Sequence, residues 1–99
     1  MIRAALALTL LAVAAPAGAA QGDRQLNLNA ESCGDFLNAS PADVATILAW
    51  LDGYYQDEDA PPVVDFDSLK TNAAKLKAVC AAHKDETVGA AAESLFGRQ

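Results

Sequence analysis

The chain has 99 residues, 53 % of them hydrophobic, with 13 Asp and Glu against 7 Lys and Arg and a formal net charge of −6 at pH 7. That balance argues against nucleic acid and against anionic membrane surfaces as partners, since both require basic patches. At this length there is room for one small domain.

Residues 1–20, MIRAALALTLLAVAAPAGAA, place one positive charge at Arg3 ahead of an apolar run from Ala4 to Ala15. Pro16 breaks the run, and Ala17-Gly18-Ala19 supplies an A-x-A cleavage pattern. This is the layout of a secretory signal peptide, and the run is shorter than the ~20 apolar residues that span a bilayer. Cleavage after Ala19 or Ala20 leaves a mature chain with 13 acids, 6 Lys and Arg, and a net charge of −7. The chain is thus addressed out of the cytoplasm, and its 2 cysteines, Cys33 and Cys80, predict one disulfide. Such a bridge spans 47 positions and contributes about 4 kcal/mol through loop closure. Two cysteines with His83 nearby do not make a structural zinc site.

Gln21 to Ala30 is polar and aperiodic, which predicts a flexible N-terminal tail before a single helical domain over 31–99. Ser32 as cap and Asp35 three residues later predict a short first helix in SCGDFL. Ser40, Pro41 and Asp43 give a stronger helix start. The second helix follows with Val44, Ile47, Leu48, Leu51 and Tyr55 on one face. DEDAPPVVDFD interrupts it, because Pro61 and Pro62 cannot continue a helix, and the segment reads as a linker with an extended patch at Val63 and Val64. Either Asp67 or Ser68 caps a third helix carrying Leu69, Ala73, Leu76 and Cys80 on one stripe. Either Thr87 or Asp85 caps a fourth, with Val88, Ala91, Ala92 and Leu95 inward. The expected fold is all-α, a small bundle of about four helices stapled by one disulfide.

The stretch WLDGYYQDED holds the chain's one Trp and both Tyr residues, followed directly by Asp57, Glu58 and Asp59. On a helical wheel Trp50 and Tyr54 widen the apolar arc of the second helix to about 160°, beyond the roughly 100° of a minimal core-facing stripe. Either a four-helix core absorbs both rings, or this flank forms a second surface for a dimer or a client. Gly53, nearly opposite the core stripe, marks either a close approach of another helix or chain, or the start of the helix end.

SCGDFL, AWLDGYY and LKTNAAKLKAVCAAH, in that order and with a signal peptide and two cysteines, resemble the HdeA/HdeB family of periplasmic acid-stress chaperones. The likeness runs from about Glu31 to Phe96. It implies an HdeA-like fold with Cys33 bridged to Cys80, and a homodimer at neutral pH. In acid it implies dissociation, partial unfolding, and capture of acid-denatured periplasmic proteins without ATP or any cofactor. Carried onto this chain, the client-binding or dimer-forming residues are Phe36 and Leu37, together with Val44, Ile47, Leu48, Trp50, Leu51, Tyr54 and Tyr55.

Below about pH 3 most carboxylates are protonated, so Lys, Arg and His83 carry the mature chain from −7 to about +7. The helix-start acids Asp35, Asp43 and Asp67 are the expected acid trigger, because carboxylates stabilised by the fold lose that contribution as pH falls. Lysines are few for the family, which points to milder acidity or to another role for the fold. The competing function is a constitutively folded interaction module that docks one partner through Trp50 and Tyr54. An enzyme is not expected: there is no phosphate loop and no metal-ligand spacing, and Asp57-x-Asp59 lacks the twelve-residue calcium pattern.

Overall fold

A computed structural model describes residues 24–97. The leader read at 1–20, with its cleavage point, lies outside these residues. Four helices follow in chain order: α1 (Cys33–Leu37), α2 (Pro41–Tyr55), α3 (Phe66–Ala82) and α4 (Val88–Phe96).

Each helix begins where a side-chain oxygen can accept an otherwise orphaned N–H of the first turn. Ser32 Oγ accepts from the Asp35 amide at 3.0 Å, and Ser40 Oγ from the Asp43 amide at 3.1 Å. Thr87 Oγ1 accepts from the Ala90 amide at 3.1 Å, which selects Thr87 over Asp85 as the α4 cap. The α3 cap differs from both residues expected. Asp65 Oδ1 accepts from the amides of Asp67 and Ser68 at 3.0 and 3.1 Å, so the helix starts earlier, at Phe66.

A five-residue helix cannot hold itself together, and α1 is held from outside. Its Cys33 and Gly34 amides donate to the carbonyls of Glu86 and Lys84 at 2.8 and 3.1 Å. Ser32 and Thr87 form an isolated antiparallel bridge, and the Cys33–Cys80 disulfide ties α1 to α3 with Cα atoms 4.7 Å apart.

α3 packs against α1, α2 and α4, whereas α2 and α4 share no extended contact. The core takes Cys33 and Phe36 from α1 and Val44, Ile47, Leu48 and Leu51 from α2. Leu76 and Cys80 of α3 join them, with Val88, Ala91 and Ala92 of α4. Among the described residues no polar or charged side chain is buried, so apolar burial carries the fold, at roughly 25 cal/mol per Å².

The stretch read as a loose tail is in part ordered against α4. The Ala30 and Glu31 amides close a turn onto the Asn27 carbonyl, and the Val88 and Gly89 amides donate to the Glu31 and Leu28 carbonyls at 2.9 and 2.8 Å. Two first-turn donors of α4 are thereby satisfied. Gly89 is needed for this seat, because a Cβ there would press on Asn29 and on the Leu28 carbonyl. Gly53 faces open space, so no close approach among the described residues explains it. The linker remains irregular, with Val63 and Val64 exposed and no strand at these two valines.

Candidate functional site

Because α2 and α4 diverge, a groove of about 840 Å³ opens between them. One wall is the α2 flank bearing Ile47, Trp50, Leu51 and Tyr54, and the opposite wall is Gly89, Ala90 and Glu93 of α4. The ordered segment from Leu26 to Asn29 closes one side.

Trp50 is 56 % exposed and Tyr54 64 %. The reading in which the core absorbs these rings is therefore incorrect: neither α3 nor α4 covers this flank. The two rings stack on each other, with centroids 4.9 Å apart and planes at 17°. Tyr54 meets Tyr55 edge-on at 4.9 Å, and Tyr55 leans on Phe96 at 6.1 Å. Leu26, 46 % exposed, adds a further apolar side chain to the rim.

The candidate residues thus divide into two sets. Phe36, Val44, Ile47, Leu48 and Leu51 are core, with exposures of 0 to 7 %, and Leu37 packs partly buried against them. Trp50 and Tyr54 are surface, and Tyr55 stands between the sets. Only the surface pair is available to a partner while the chain is folded.

Two polar ties hold α2 to its neighbours. Arg24 is ion-paired with Asp43, and the Tyr55 hydroxyl donates to Glu93 Oε2 at 2.8 Å, joining α2 to α4. Burial, reinforced by the Glu93 carboxylate and by Tyr54, pushes the Tyr55 pKa up from 10.0 to about 12. A phenol whose folded pKa is raised stabilises fully below its ordinary value, and that contribution is lost as pH rises from 10 towards 12. Tyr55→Phe is expected to cost about 1 kcal/mol at pH 7. The gap to the native chain should narrow above pH 10, as read from urea melts of both proteins across the alkaline range. A gap constant with pH would show that the hydroxyl is not held this way.

Of the acids expected to respond to pH, Asp43 carries the ion pair, while Asp35 and Asp67 lie exposed in the first turns of α1 and α3. The carboxyl held below its ordinary value is Asp65, through the Ser68 amide first, then the Ser68 side chain and the Asp67 amide. No group of three or more His, Cys, Asp or Glu among the described residues could hold a metal ion.

The sequence matches the HdeA/HdeB family over residues 1–90. The chain belongs to the HdeA/HdeB family. No curated protein and no solved structure matches it. HdeA/HdeB proteins are acid-stress chaperones of the periplasm and are not enzymes. Leu26, Leu28, Ala90 and Glu93 line the groove without any local signal of it in the sequence; only the tertiary arrangement brings them to Trp50.

Proposed function

We propose that this chain is an ATP-independent chaperone, folded at neutral pH, that opens in acid and holds denaturing periplasmic proteins on side chains released from its core. The observation that carries this reading is the burial of Phe36, Val44, Ile47, Leu48 and Leu51 in a domain whose helices are linked by a single covalent staple. Opening frees α2 and its apolar stripe, while Cys33–Cys80 keeps α1 on α3. The swing in charge from −7 to about +7 adds self-repulsion to the loss of carboxylate stabilisation, and keeps a loaded complex soluble.

Trp50 is already half exposed, so its fluorescence is a poor gauge of core opening. Amide exchange at Leu48 and Leu76, both core positions, is the better probe across pH 7 to 2, alongside suppression of aggregation of an acid-labile protein. Protection of that protein should appear over the same pH interval in which these amides lose protection. Opening without suppression, or suppression by a closed fold, would sink the proposal.

The exposed Trp50–Tyr54 flank favours a second reading, docking of a partner by the folded chain. It is separated from the first by whether binding exists at pH 7.

A further inference from the structure

The groove between α2 and α4 has the dimensions of a binding site, about 840 Å³ against the roughly 300–1,000 Å³ of ordinary ligand pockets. Its polar side chains are largely spent within the chain. Asn27 Oδ1 accepts from the Asn29 amide, Thr46 donates to the Ala42 carbonyl, and Thr87 accepts from the Ala90 amide. What remains for a ligand is the exposed Leu26 side chain, the stacked Trp50 and Tyr54 rings, and Glu93, the one charged residue in the lining among the described residues.

Among the described residues no free cation lines the groove beside Glu93. Arg24 is ion-paired with Asp43. Lys70, Lys75 and Lys77 belong to α3, which contributes nothing to the lining, and Lys84 lies in the turn between α3 and α4. Asp52, half-buried on α2, accepts from Gln56. The groove therefore joins an aromatic surface to uncompensated negative charge in a chain that is acidic throughout.

We infer that this groove docks, in the folded state, an apolar polypeptide segment that carries Lys or Arg beside its apolar side chains. The inference rests on the folded-state docking reading and is independent of acid opening. Apolar side chains pack beside the exposed Leu26, Trp50 and Tyr54 side chains. A cation gains from the faces of Trp50 and Tyr54 and from the Glu93 carboxylate, and the net charge of the chain steers it inward. A segment bearing carboxylates meets Glu93 with no cation in the described lining to neutralise it. A polypeptide suits the groove because it is open along one side, and because the family's partners are proteins.

The test uses the mature, oxidised chain at pH 7 with three synthetic peptides, alternating Leu/Lys, Leu/Glu and Ser/Lys, read by calorimetry and by Trp50 fluorescence. The Leu/Lys peptide should bind about tenfold or more tightly than either control, and less tightly as salt is raised. Trp50→Ala, at an exposed position, should weaken it by about tenfold or more in calorimetry. Glu93→Gln, which still accepts from Tyr55, should weaken Leu/Lys several-fold and narrow the gap to Leu/Glu. Equal binding of Leu/Lys and Leu/Glu would leave folded-state docking standing and overturn the selection for cations. Binding of neither would overturn both. Sedimentation of a dimer at pH 7 that buries Trp50 would make a second copy the occupant and overturn the inference as well.

Discussion

Replacing Cys33 and Cys80 together by serine is expected to leave the chain largely unfolded at neutral pH. The bridge closes a 47-residue separation, which in the chain-entropy treatment is worth about 4 kcal/mol. A single core in a domain of this size rarely supplies more than about 3–5 kcal/mol, so the loss is comparable with the whole stability. The local structure points the same way. α1 has only five residues, and without the bridge it depends on two backbone hydrogen bonds to the 84–86 turn and on the burial of Phe36. Urea melts at pH 7 should show a folded baseline and a cooperative transition for the native chain and no such baseline for the double variant. In acid, the variant should also expand further, since nothing then holds α1 to α3. A double variant that melts near the native midpoint would mean that the core alone suffices and that the bridge serves some other purpose.

Much of this fold was legible in the sequence because its strongest determinants are local. Ser40-Pro41 starts α2 where expected, and the α2 stripe from Val44 to Leu51 is buried as its period requires. Leu76 and Cys80, and Val88, Ala91 and Ala92, likewise face the core. The start of α3 was misread because Asp65, Asp67 and Ser68 are all competent caps within four positions. The choice falls to the carboxylate that reaches two amides at once, and that is Asp65. The segment before Ser32 was read as loose because it has no periodicity, yet its order comes from bonds to Val88 and Gly89, nearly sixty positions away. The fate of Trp50 was undecidable for a related reason. A wheel shows which residues share a flank, but not whether a third helix will cover it, and here α4 diverges from α2. The groove residues Leu26 and Glu93 belong to that same class of information.

Phe36→Ala should move acid opening to higher pH. Phe36 is fully buried in α1, and truncating such a ring costs about 3–5 kcal/mol. Acid removes stability progressively: Asp65, whose folded pKa is lowered, stabilises above its ordinary value and loses that contribution as pH falls through its depressed folded value. The net charge then turns positive, because the carboxylates that offset the lysines and arginines are neutralised. A fold that begins with less stability is exhausted earlier on that descent, so its midpoint lies at milder acidity than the native one. If client binding requires the released core, suppression of aggregation should shift upward in pH by the same interval as the loss of amide protection. Should the opening shift while suppression stays at its native pH, the released core is not the client surface, and the exposed Trp50–Tyr54 flank is left as the surface that binds. Leu76→Ala, at an equally buried position on α3, provides the control: it lowers stability by a related mechanism without changing any residue of α1 or α2, so a shift common to both variants reports stability and not the chemistry of Phe36.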